Sequence, residues 1–197
     1  IEPQILEKLQ NDLVFSARFF DTYLESRLEN ELNQYLLLLG SASYYLCNLT
    51  GSSRVLSNKL RLENLNLKAD SLEHLLLWAL SGNNALEIQA QSLTYNIYLQ
   101  NIPKTINHFF QTGDGSKDVI RQIDDLRRLA FEQGTPREVL FADVIAAVIR
   151  KRLANSTWNT LPKYSELDLE LWRSILTKPS FIKELWPAQH LLGENGV

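Results

Sequence analysis

Apolar side chains recur along this chain at steps of three and four residues, the period of a helix with one buried face. Leu6, Leu9 and Leu13 open the series, followed by Phe19, Phe20, Tyr23, Leu24 and Leu28. Pro3 suits a first helical position, where the donor it lacks would go unused. A third stripe runs through Leu32, Tyr35, Leu36, Leu39, Ala42, Tyr45, Leu46 and Leu49. Gly40 inside it predicts a kink or a close crossing, and Gly51 is expected to end it. Ser52 or Ser53 then has the chemistry to cap a short helix reaching Leu60.

Asp70-Ser71-Leu72-Glu73 reads as the next helix start. The helix it opens, Leu72 to Leu80, is apolar on every side and is expected to lie between other helices. Ser81-Gly82-Asn83-Asn84 stops it. Ala85 to Leu99 repeats the helical spacing, and Pro103 predicts a break or kink before a short helix bearing His108, Phe109 and Phe110. Thr112-Gly113-Asp114-Gly115-Ser116 is the clearest loop, with Asp114 or Ser116 as the cap of an amphipathic helix from Lys117 to Phe131.

Gln133-Gly134 ends that helix, and Thr135-Pro136-Arg137-Glu138 combines a cap, a proline at the first position and a reciprocating carboxylate. The following helix carries Val139, Leu140, Val144, Ile145, Val148 and Ile149 and ends in Arg150-Lys151-Arg152. Asn155 to Tyr164 reads as a connection, Ser165-Glu166-Leu167-Asp168 as another helix start, and Pro179 and Pro187 as the starts of two short helices. No segment alternates strictly every second residue. The expected fold is therefore all-α, an irregular multi-helix bundle or α-hairpin array of about eight to ten helices. No fixed period with repeated signature residues points to a named repeat.

Composition narrows the chemistry. One Cys excludes a disulfide framework, and three scattered His argue against a His-based metal site. Cys47 lies on an apolar helix and reads as a small hydrophobe. The net charge of −3 excludes a globally basic nucleic-acid binder while allowing a local basic patch. Residues 1–100 carry 7 basic and 11 acidic side chains, residues 101–197 carry 13 and 12, so the second half is slightly better suited to such a patch. Its candidates are Arg121, Arg127, Arg128, Arg150, Lys151 and Arg152, provided they share a face with Lys163. The same arginines beside Asp124-Asp125 equally suit ion pairs along a solvated helix. The Gly113-Asp114-Gly115 loop lacks the spacing of a phosphate loop and reads as a solvated turn. No Ser or Cys has a nucleophile-elbow context, so no catalytic constellation is visible.

The chain begins Ile1-Glu2-Pro3 without Met, which leads us to expect a piece of a longer protein. No basic leader precedes an apolar segment and no apolar run is long enough to span a bilayer, so a cytoplasmic location and no membrane partner are expected.

The last residues carry a family signal. Phe181-Ile182-Lys183-Glu184-Leu185-Trp186-Pro187-Ala188-Gln189-His190-Leu191-Leu192 resembles the segment just before the ATPase core of superfamily-two helicases of the DEAD/DEAH class. There an aromatic or apolar residue precedes Pro-x-Gln, and Trp186, Pro187 and Gln189 stand in those places. The resemblance implies that Gln189 reads the paired edge of adenine, with Trp186 and Pro187 shaping the site. It also implies that residues 1–178 are a helical accessory domain and 179–197 the start of a motor core. ATP and Mg2+ would then belong to the parent protein, and none to this segment. The chain alone would be inactive, since it contains neither a phosphate loop nor a metal-binding acidic box. Its partners would be the motor domains of the same chain, a DNA or RNA strand, or another protein. The alternative expectation is a free-standing helical scaffold or adaptor that binds protein.

Overall fold

The most apolar segment of the sequence becomes the centre of the structure, a computed structural model that describes residues 34–60, 71–81, 94–164, 168–178 and 181–196 and the isolated positions Asp12, Val14, Arg18 and Thr22. The two stripes expected before residue 30 and the Ala85 start of a helix lie outside the described residues, as do Asp70, Ser165–Leu167 and Pro179. The described elements are α1 (Gln34–Leu46), α2 (Thr50–Ser57), α3 (Leu72–Ser81), α4 (Asn96–Thr112), α5 (Ser116–Gln133), α6 (Pro136–Ala154), α7 (Thr157–Tyr164), α8 (Leu169–Leu176) and α9 (Pro187–Glu194). Among the described residues there is no strand, only an isolated antiparallel bridge between Ser156 and Glu184. The all-α expectation holds.

Helix α3 is enclosed as its sequence predicts, packing against α1, α2, α4 and α6. Leu72, Leu75 and Leu76 are fully excluded from solvent, and burying each such side chain stabilises the fold by about 1.5–3 kcal/mol. Helix α6 supplies Phe141, Ile145, Val148 and Ile149 from one face, while Val144 at its edge is only half-buried. Helix α5 adds Val119, Ile123, Leu126 and Ala130 at helical spacing.

The start of α6 is the capping box read from the sequence. Glu138 N–H donates to Thr135 Oγ1 at 3.4 Å, and Thr135 N–H donates to Glu138 Oε2 at 2.6 Å. Two of the amides a helix start leaves unpaired are thereby satisfied.

Other punctuation differs from expectation. Helix α1 ends before Asn48, which takes a left-handed conformation at φ 67°, and Gly51 lies inside α2. Asn tolerates that conformation because its short polar side chain bonds locally. Ser52 and Ser53 are likewise interior to α2. Ser53 is buried, and its carbonyl accepts from Ser41 Oγ at 2.8 Å, tying α2 to α1. Helix α4 passes through Pro103 without a break, with Ile102, Pro103 and Ile106 all buried. Core burial on that face outweighs the one hydrogen bond the proline removes.

The Gly113–Gly115 loop is present, but Gly115 rather than Asp114 or Ser116 occupies the capping position of α5, and no side chain bonds there. Gly113 ends α4 at φ 82°, and a Cβ on it would lie 2.7 Å from the ring of Trp158. The segment Asn155–Tyr164, expected as a connection, contains helix α7. Trp158 explains the difference: its indole N–H donates to Phe110 O at 3.1 Å, and Thr157 and Thr160 are buried. Tertiary docking supplies what these weak helix formers lack.

Candidate functional site

Residues 181–196 carry the sequence motif, and their attachment to the helical body is built from polar groups. Leu185 N–H donates to Asn155 O at 2.8 Å and Thr157 N–H donates to Lys183 O at 3.0 Å. Between these bonds Glu184 points inward. Its Oε1 accepts from Arg152 Nε at 2.7 Å and its Oε2 from the Tyr45 hydroxyl at 2.5 Å. The Arg152 guanidinium also lies over the rings of Phe110 and Trp78, 5.2 and 5.7 Å from their centroids.

This network is electrostatically closed. Burial works against the Arg152 charge, and the Glu184 carboxylate and the Tyr45 hydroxyl more than offset it, so its pKa stands above the ordinary arginine value. Burial, then the Glu184 charge, push the Tyr45 phenol above its usual range, with Arg152 pulling partly back. Arg152 is thus a cation and Tyr45 a neutral donor at any ordinary pH.

Above the network opens a cleft of about 970 Å³. Its lining includes the buried Tyr45, Trp78, Phe110 and Arg152, and Trp186 and Gln189 line it as well. Pro187 occupies the first turn of α9, as expected. Gln189 Oε1 accepts from Trp186 N–H at 2.8 Å, so the glutamine caps its own helix. Its second oxygen lone pair and its amide donors are not used by that bond. The Trp186 ring is half exposed. Helix α9 rests on α7 through Tyr164. The Tyr164 hydroxyl bonds His190 Nδ1 at 3.1 Å, and a Cβ on Gly193 would meet the Tyr164 ring at 2.7 Å.

The candidate basic residues divide. Arg121 pairs with Asp118 at 3.0 Å and Arg128 pairs with Asp125, both within α5. Arg127 reaches Asp143 at 2.6 Å, and Arg150 reaches Asp124 at 2.5 Å, bridging α5 and α6. Lys151 donates to Leu46 O at 2.5 Å, closing the end of α1, and burial lowers its pKa. Arg152 turns into the core with its side chain 9% exposed. The run Arg150-Lys151-Arg152 therefore forms no single surface patch. Its members face solvent, a helix end and the core in turn, because successive helical residues point about 100° apart.

In the sequence Tyr45 reads only as part of an apolar stripe, Glu184 only as part of the terminal motif, and Arg152 as a basic-patch candidate at a helix end. Local spacing carries no signal for this trio, since Tyr45 and Glu184 are 139 residues apart. Among the described residues no cluster of His, Cys, Asp or Glu is arranged to hold a metal, and no helix is long and apolar enough to cross a membrane. In comparisons with known proteins, no family model, no curated sequence and no solved structure matches this chain.

Proposed function

We propose that this chain is the helical accessory region of a larger ATP-dependent nucleic-acid helicase, and that it holds the first helix of the motor in a fixed place. The observation that supports this reading is the anchoring of Glu184 by Arg152 and Tyr45, two residues before the Trp186-Pro187-Ala188-Gln189 motif. A body that grips the chain so close to a nucleotide-reading helix limits how that helix can move. The motor would supply ATP and Mg2+ chemistry, and this region would supply position. Exposed apolar side chains on the same segment suit contact with further protein: Ile182, Trp186, Leu191 and Leu192 all lie open. The same surface favours, as a second reading, an adaptor that docks a separate protein partner.

The test is Gln189→Ala in the full-length parent protein. One hydrogen-bonded adenine edge is worth about 0.5–1.5 kcal/mol net. ATP should therefore bind about two- to tenfold more weakly. The preference for ATP over GTP should fall in parallel, because guanine presents a different donor and acceptor order. Equal ATP affinity with equal ATP/GTP preference would sink the helicase reading of this motif.

A further inference from the structure

Two buried donors on residues that line the cleft meet no acceptor among the described residues. Arg152 spends Nε on Glu184, and its Nη1 has no partner; Trp78 Nε1 has none either. Arg152 and Trp78 are 7% and 3% exposed, and both line the cleft. Their groups are neighbours, the guanidinium carbon lying 5.7 Å from the indole ring centroid. Buried donors are almost always satisfied in folded proteins, so two unmet ones side by side call for an acceptor.

The charge of the lining points to the ligand. Arg54, Arg152 and Lys183 face it with Glu184 as the only carboxylate among the described lining residues. That carboxylate is already engaged by Arg152 and Tyr45, so the remaining field is positive. A guanidinium fits the oxygens of a carboxylate or phosphate, and an indole N–H adds a directional donor. The volume of about 970 Å³ exceeds that of a bare ion, and Trp78, Phe110, Ile182 and Trp186 give it apolar and aromatic walls. We propose that this cleft binds a small molecule bearing an oxyanion, whose oxygens accept from Arg152 Nη1 and Trp78 Nε1. Trp186 and Gln189 line the same cleft, so the oxyanion contact is a second one within it, at Arg152 and Trp78, and not the adenine contact proposed for Gln189.

The experiment is a titration of the 15N-labelled chain followed at its four indole N–H signals. Phenyl phosphate and benzoate serve as probes, one for each oxyanion on the same aromatic body, with benzyl alcohol as the neutral control. A saturable shift at the Trp78 signal with either anion, absent with benzyl alcohol, is the expected result. The anion that saturates at lower concentration names the ligand chemistry. Trp78→Phe keeps the ring and removes the donor, and should weaken binding about two- to tenfold. Replacing Trp158, Trp172 and Trp186 in turn by Phe assigns the other signals, so the titration decides the question even where Trp78→Phe fails to fold. A Trp78 signal unmoved by both anions, or moved equally by benzyl alcohol, would overturn the proposal. Unchanged affinity in folded Trp78→Phe would overturn it as well.

Discussion

Helices α1 to α7 and the segment 181–196 are held by different physics. The body closes round apolar side chains: Leu38, Leu76, Ile123 and Ile145 are wholly excluded from water. The tail hides few, since α9 buries no residue and Leu191 and Leu192 are 59% and 52% exposed. It is fixed instead by a short set of directed bonds at Glu184, Lys183 and Leu185. Burial is spread over many contacts and tolerates the loss of any one of them in part. Directed bonds concentrate attachment on a few atoms, so the tail depends on single residues in a way the body does not.

The sharpest way to break this contrast is Arg152→Met. It removes the only ion-pair partner of Glu184 among the described residues and leaves that charge uncompensated, 19% exposed. Removing one member of a largely buried pair costs about 3–5 kcal/mol, measured by urea unfolding. Adding Glu184→Leu should recover much of the loss, since the stranded charge is then gone. A single mutant within 1 kcal/mol of the parent stability, on the order of a surface change, would mean that the tail is not docked as described.

Next in size is a matched pair of leucine truncations. Leu76→Ala, in the fully buried centre of α3, should cost about 2–5 kcal/mol. Leu191→Ala, on the open face of α9, should stay within about 0.5 kcal/mol. Similar losses at the two sites would show that the apolar tail surface is covered in the folded protein.

The smallest effect compares caps. Thr135→Ala removes half of a box that starts a long body helix and should cost about 0.5–2 kcal/mol. Gln189→Ala removes a cap from a helix of 8 residues with nothing buried, so the global unfolding midpoint should not move.

Legibility of this fold follows the range of the interactions. The Thr135–Glu138 cap is readable because its four residues are consecutive, and α3 because its apolar run is unbroken. Helix α7 is not readable, because Asn, Thr and Pro dominate it and its helicity comes from the docking of Trp158 on α4. Gly51 is the end of α1 that the sequence suggests, but Asn48 performs it, since glycine is the commoner but not the sole residue for a left-handed turn. Of the site, Pro187 and Gln189 were visible as a local motif. The Arg152–Glu184–Tyr45 network was not, because three residues distant in sequence meet only after the body has folded.

The bridge from Ser156 to Glu184 has a consequence for chain connectivity. It ties two points 28 positions apart (184 − 156) and encloses α7 and α8 in a closed loop. Closing a flexible loop costs entropy that grows only as the logarithm of its length, so a loop of this size is inexpensive to shut. Two backbone bonds shut it, Leu185 N–H to Asn155 O and Thr157 N–H to Lys183 O, and the Glu184 side chain adds its bonds to Arg152 and Tyr45. The two ends are thus joined at residues 155–157 and 183–185, which puts α7 and α8 on one short tether rather than on a free terminus.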